Sequence, residues 1–306
     1  MNTQLRIEIE KTGGLDKLRT VSSPLPSHNA RQVLIKIQYA GVAFADILMR
    51  EGLYPDVPRK QLTPGYDVVG EVVAVGDEVH DLQPGQRVVA LTQTGGYAQF
   101  IAVDQMLVVP CPENLPAQEA VALVLNYTTA YQMLNRLARL QQGERVLVHG
   151  AAGGVGSALV ELAHLQGAKV YGTISARKRR QWDTAKFIPV DYEKQPFLET
   201  LATLEPGGID IVLDGIGGTH LKHSYKTLSA GGRVVSYGFS TSIRNGRRSL
   251  FSAFREIIVS LFSPIRLMSD NRAVMGYNIW TLARSKPEWF REDMAAVLKL
   301  WEDGKI

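Results

Sequence analysis

Up to about residue 124 the chain alternates apolar and polar positions in short runs. "QVLIKIQYAGV" (32–42), "DVVGEVVAVGDEV" (67–79), "GQRVVAL" (85–91) and "GGYAQFIAV" (95–103) are rich in β-branched residues, with Pro64-Gly65 and Pro84-Gly85 as breakers. Runs of this length and period predict antiparallel strands in a barrel-like domain over residues 1–124. From 125 to 282 the texture changes. "RVLVHG", "AKVYGT", "FIPVDY", "IDIVLDGIGG", "GGRVVSYGFS" and "NRAVMGYN" alternate with helical segments, so this half reads as α/β, a doubly wound parallel sheet. A final helical pattern puts Phe290, Met294, Val297, Leu298 and Trp301 on one face, with Pro287 near its start and Gly304 beyond its end.

One junction in the second half carries chemistry. "HGAAGGVGSALVELAHLQGAKVYGTISARKRR" (149–180) is a strand end, a glycine-rich turn, an apolar helix, a second strand and a run of cations. In that context the turn is a dinucleotide fingerprint, with Ala151, Gly153 and Gly156 at the three glycine positions. Backbone at Gly153, Gly154 and Val155 would meet a pyrophosphate at the positive end of the helix. Gly156 would let helix and strand pack closely, with Val155, Leu159, Leu162 and Ala163 facing the sheet. The end of the second strand selects the cofactor. An NAD site places an acid there for the ribose 2′-hydroxyl, whereas a 2′-phosphate favours cations. No acid stands between Ala168 and Gln181, and Ser175, Arg177 and Lys178 supply a hydroxyl and positive charge, which points to NADPH.

Composition narrows the rest. The 306 residues are 45% hydrophobic, enough for two cored domains. No apolar run reaches the length of a membrane span; the greasiest, Ile257 to Phe262, is far shorter. A cytoplasmic protein is expected. The single cysteine, Cys111 between two prolines, excludes an intramolecular disulfide framework and a cysteine-rich zinc cage. The net charge of +4 is small and local, at 177–180 and 244–248, and no nucleic-acid recognition signature accompanies it. Signatures of hydrolysis and phosphoryl transfer are absent. His220 and His223 share a helix face but lack a third ligand, so no metal site is expected.

"GVAFADILMREGLYP", "PGYDVVGEVVAVGDEV", "PGQRVVAL", "GGYAQF", "LNYTTAY", "AAGGVG", "DGIGG" and "GGRVVSYG" occur in an order and spacing that resemble a zinc-less medium-chain reductase of the quinone oxidoreductase (zeta-crystallin) family. The segment from "GGRVVSYGFS" through "NRAVMGYN" resembles its vesicle amine transport protein-like subgroup. The resemblance implies a GroES-like domain, 1–124, completed by 283–306 and by a further C-terminal segment that this sequence does not contain. It also implies a Rossmann domain, 125–282, NADPH held between the two, and a homodimer. Where zinc enzymes carry Gly-His-Glu, this chain has Gly65-Tyr66-Asp67.

Carried over by motif, Tyr54 would hydrogen-bond the oxygen that gains charge, and Thr129 would lie near the nicotinamide with Asn126. Tyr192 would lie against the adenosine phosphate, Gly238 would admit close passage of the chain past the nicotinamide, and Asp46 would be a structural acceptor. Ala43 stands where many members have Asn, and Leu48 where some have Tyr, which implies a more apolar pocket and a larger or greasier substrate. Without a Lewis acid, hydride addition to a quinone or α,β-unsaturated carbonyl is the expected reaction. A binding role toward lipid, membrane or partner is the alternative. Its feature is residues 241–268, basic at one end, with Leu250, Phe254, Ile257, Ile258 and Leu261 at helical spacing. The same stretch reads more readily as a substrate-cleft or dimer-interface helix.

Overall fold

The computed structural model describes residues 3–55, 57–179, 185–238 and 261–306, with the side chain of Arg179 outside the description. The chain folds as two compact units, Met1–Thr128 with Trp280–Gly304, and Thr129–Ile279 with Lys305–Ile306.

In the first unit the alternating runs form β1 (Thr3–Lys11), β2 (Leu18–Pro24), β3 (Gln32–Ala40), β4 (Lys60–Leu62), β5 (Asp67–Val75), β6 (Arg87–Leu91), β7 (Phe100–Asp104) and β8 (Val108–Pro110). An antiparallel five-stranded sheet runs β7-β3-β5-β6-β8, and a three-stranded sheet runs β2-β1-β4. Val33, Ile35, Val68, Val72 and Val88 are fully buried, which is what the period-two pattern asks of one sheet face. The β3–β5 register shifts twice, between Leu34 and Ile35 and between Ile37 and Tyr39, and such bulges bend a sheet toward closure. At the pinch, a Cβ on Gly70 would lie 2.2 Å from the Lys36 carbonyl oxygen. The helix Pro287–Glu302 closes this unit, burying Phe290, Met294, Val297 and Leu298, with Trp301 half-buried. The Thr128 hydroxyl donates to Met294 Sδ at 3.2 Å.

The second unit is a six-stranded parallel sheet of β9 (Arg145–Val148), β10 (Lys169–Ile174), β11 (Ile188–Asp191), β12 (Ile209–Asp214), β13 (Leu228–Ser236) and β14 (Ala273–Gly276). Its order, β11-β10-β9-β12-β13-β14, is the Rossmann order with the direction of winding reversed beyond β9. β9 and β12 are pinned by Arg145, whose guanidinium donates to both Asp210 oxygens at 2.9 and 2.8 Å. Burial alone would raise the Asp210 pKa, but these bonds hold it at about 2.

Residues 239–260 lie outside the described residues, and with them most of the basic and apolar stretch 241–268. At its described end Leu261, Ile265 and Met268 are exposed, the last two on the helix Pro264–Asp270. Among the described residues no helix is long and apolar enough to cross a membrane.

Candidate active site

The turn after β9 is built by glycine geometry. Gly150 adopts φ +65°, a left-handed conformation that an L side chain rarely tolerates. Ala151 N–H then donates to the Thr173 carbonyl at 3.1 Å, and Gly153 N–H to the Gly150 carbonyl at 2.8 Å. The helix Gly154–Leu165 starts with no side chain capping its first turn. A Cβ on Gly156 would stand 2.1 Å from the Gly150 oxygen and 3.1 Å from Ala151 Cα.

Two details of the fingerprint are thereby corrected. Gly150, not position 151, makes the turn, and Gly156 packs on the turn itself rather than on a strand. Leu159, Leu162 and Ala163 are buried as expected, while Val155 is half-buried. Gly153 and Gly154, with Val155, present uncapped helix-start backbone beside the switch point of the sheet, where open α/β sheets bind ligands.

The end of β10 also departs from expectation. Ser175 is buried with its Oγ 3.5 Å from Lys178 N, and Arg177 and Lys178 are exposed on the short helix Ala176–Arg179. The local sequence holds no acid, yet Glu193 reaches back from beyond β11 and accepts the Ala176 N–H at 3.1 Å. The cations therefore share this corner with a carboxylate contributed from seventeen positions away in the chain. Tyr192, next to Glu193, is 52% exposed. Gly238 has a reason of its own to be glycine, since a Cβ there would lie 2.6 Å from the Gly215 oxygen.

In the first unit Tyr54 shares a 2.8 Å hydroxyl–hydroxyl hydrogen bond with Tyr66, their rings meeting edge-on at 6.1 Å. Tyr66 is a buried partner that sequence reading passed over as a mere replacement for histidine. Asp46 accepts from Ala43 N at 2.8 Å, Gly65 N at 2.9 Å and the Tyr97 hydroxyl at 3.1 Å, the structural acceptor expected of it. Asn126 lies in a π-helical segment, Leu123–Tyr127, and is half-buried. Thr129, the first residue of the second unit, is buried. π-Helical turns are uncommon and recur at functional sites; nothing in the apolar pattern of "LVLNY" announces one.

An alcohol dehydrogenase GroES-like domain model matches residues 29–113, and a zinc-binding dehydrogenase model matches 154–297. A rat quinone oxidoreductase is 34% identical over 266 residues, covering 85% of this chain and 81% of the relative. The synaptic vesicle membrane protein VAT-1 homolog of Danio rerio is 33% identical over 301 residues, covering 96% of this chain. The chain belongs to the zinc-less quinone oxidoreductase family of medium-chain reductases, in its VAT-1-like branch. It spans 61% of the length of the Danio rerio relative. A mycobacterial structure complexed with NADPH superposes with a TM-score of 0.84 at 26% identity, over 99% of this chain and 90% of that one.

The GroES-like unit of this quinone oxidoreductase relative does not bring together, among the described residues, three His, Cys, Asp or Glu groups able to hold a metal. Asp67 stands where the zinc enzymes carry the glutamate of Gly-His-Glu, and burial pushes its carboxyl up to about 7, with help from the nearby Asp46 charge. Its Oδ2 accepts from Leu125 N at 3.3 Å, at the π-helical segment, while Oδ1 has no hydrogen-bond partner among the described residues.

A stability consequence follows. The pKa is raised on folding, so between about pH 4 and 7 the folded chain keeps a proton that the unfolded chain releases. This group therefore withdraws stability as pH rises through that window, by roughly 4 kcal/mol at most. Asp67→Asn keeps an acceptor for Leu125 and cannot ionise. Denaturant melts at pH 4 and 8 should find the variant equal to the parent at pH 4 and more stable by about 1–3 kcal/mol at pH 8; a pH-independent difference would contradict the assignment.

Proposed function

We propose that this chain is an NADPH-dependent, zinc-independent oxidoreductase that reduces a small apolar quinone or α,β-unsaturated carbonyl. The observation that carries the reading is the uncapped, glycine-built turn and helix start at the switch point of a Rossmann sheet. Membership of an oxidoreductase family and the NADPH complex of a mycobacterial neighbour support it.

Gly153, Gly154 and Val155 would bind the pyrophosphate through backbone N–H groups. Arg177, Lys178 and the Ser175 hydroxyl would take the 2′-phosphate once Glu193 leaves Ala176 N, and Tyr192 would cover the adenosine side. Asn126, Thr129 and Gly238 would border the nicotinamide. When bound, reduced nicotinamide supplies a hydride, so the acceptor gains two electrons as the cofactor is oxidised. Tyr54, oriented by Tyr66, would hydrogen-bond the acceptor oxygen that becomes negative, and a proton from solvent completes the reduction. Without a Lewis acid, a quinone or enone is the fitting acceptor, because its developing charge delocalises onto a distant oxygen. In a homodimer the open edge of β14 would continue into a second copy.

Steady-state oxidation of NADPH against a panel of quinones and enones tests the reading; turnover is expected, and no turnover with any acceptor by folded protein would contradict it. Tyr54→Phe should lower kcat about 10–100-fold with cofactor affinity unchanged; an unaltered kcat would remove Tyr54 from the chemistry.

A second reading has one observation in its favour. Leu261, Ile265 and Met268 are exposed apolar side chains at the end of the basic stretch, as a lipid- or partner-binding role would use. Sedimentation with anionic liposomes separates the two, since the enzymatic reading leaves the protein in the supernatant.

A further inference from the structure

Beyond the glycine turn, the Rossmann unit gathers three ligand-type side chains that hydride transfer does not use. Asp214 ends β12, His149 follows β9, and His220 lies on the helix Gly218–Lys226. Asp214 is fully buried and His149 nearly so, while the His220 side chain keeps 21% of its exposure. One ligand atom from each residue lies within 4.8 Å of the other two.

The cluster is held in place from behind. Asp214 Oδ1 accepts from Ile216 N at 2.8 Å and Gly217 N at 2.9 Å. This fixes the carboxylate with Oδ2 toward His220 Nδ1, 3.0 Å away, and the Ser224 hydroxyl, 2.6 Å away. His149 has Nδ1 3.3 Å from Thr173 Oγ1 and Nε2 3.0 Å from Ser224 Oγ. The two imidazoles meet edge-on at 4.2 Å, and Phe197 packs on both, at 4.7 and 4.9 Å.

We propose that His149, Asp214 and His220 form a binding site for one divalent transition metal of the zinc class, with the Ser224 hydroxyl as the adjacent oxygen. Two imidazoles and one carboxylate suit zinc, cobalt, nickel or copper, whereas calcium and magnesium demand oxygen-rich shells. Ligands about 2.0 Å from a tetrahedral ion lie roughly 3.3 Å apart, close to the 3.0 Å between Asp214 Oδ2 and His220 Nδ1.

Burial and the neighbouring His220 push the His149 pKa down to about 3, so this ring is neutral. Burial would raise the Asp214 pKa, but hydrogen bonds from His220 and Ser224 and the neighbouring imidazoles hold it well below the usual carboxylate range. The buried Asp214 carboxylate beside the two imidazoles offers a negative charge that a dication would neutralise. Thr173 behind His149 is an outer partner of the kind that orients metal-bound histidines. Part-exposed His220 gives the ion its way in. Nothing in this site depends on the cofactor or its phosphate.

The test is a titration of the chelator-stripped full chain with Zn²⁺, and with Co²⁺ followed by its visible absorption. One equivalent per chain is expected, with a low-coordinate cobalt spectrum and no competition from excess Mg²⁺. His220→Ala, at the exposed side of the cluster, should weaken Zn²⁺ binding at least about tenfold, and His223→Ala should not. Asp214→Asn should also lose binding, but the buried site makes His220→Ala the decisive variant. Failure to bind one equivalent, equal binding by the parent and His220→Ala, or displacement by Mg²⁺ would each overturn the proposal. NADPH affinity, measured in parallel, reports separately on the enzymatic reading.

Discussion

Gly156→Ala should lower the midpoint of thermal unfolding by about 6–12 °C and remove measurable cofactor binding. The added Cβ would sit 2.1 Å from the Gly150 carbonyl oxygen, an approach that real Cβ atoms do not make, and the obstruction is backbone rather than a side chain that can swing away. The turn must therefore move by about an ångström. Overpacking costs about 1–3 kcal/mol and occasionally more; an unyielding backbone obstruction puts this case at about 3, and one kcal/mol shifts a unit of this size by about 2–4 °C. The same displacement withdraws the first-turn N–H groups from the pyrophosphate position. Gly143→Ala provides the comparison. Gly143, unlike Gly156, has a positive φ, +85°, and open space around its Cβ position, so that variant should lose only about 1 kcal/mol and bind cofactor normally. Differential scanning calorimetry with and without NADPH checks both. Equal midpoints for the two variants would mean that the turn is more pliable than its packing implies.

The paired substitution Arg177→Ala with Lys178→Ala should weaken NADPH binding about 30-fold and change NADH binding by less than about threefold. Both side chains are exposed, so each phosphate contact is worth about 1 kcal/mol rather than the larger figure for a buried charge pair. Two such contacts give about 2 kcal/mol, or roughly 30-fold. Glu193 makes the assignment sharper. Its carboxylate accepts Ala176 N–H and would repel a 2′-phosphate, so Glu193→Gln should tighten NADPH binding several-fold. If Glu193 instead accepts from the 2′-hydroxyl of NADH, Gln at that position weakens NADH, and the two cofactors respond in the opposite sense. Isothermal titration of both cofactors on both variants distinguishes these outcomes.

What the sequence revealed follows from which forces are local. The six apolar runs of the second half became β9 to β14 in Rossmann order, because strands buried on both faces need no partner information to be recognised. The tail helix was equally plain, its apolar stripe matching the buried Phe290, Met294, Val297 and Leu298. The glycine turn was found, but the alignment misassigned its first position, since only φ distinguishes Gly150 from a glycine that merely saves space.

Features made by distant residues were not legible. Glu193 lies seventeen positions beyond the amide it reaches. Tyr66 gains its meaning from Tyr54 across twelve positions. His149, Asp214 and His220 meet only because the sheet order makes β9 and β12 neighbours, so the sequence offered a surface pair, His220 and His223, where the fold builds a different trio. The π-helical segment at Asn126 is a backbone choice with no periodic trace in an apolar stretch.

Competitive titration of NADPH and NADH into the unmodified chain bears most directly on a Rossmann unit that binds the phosphorylated cofactor through Arg177 and Lys178. NADPH should bind at least about tenfold more tightly than NADH, and the preference should shrink as salt is raised, because exposed charges are screened. Equal affinities, or a preference for NADH, would contradict it.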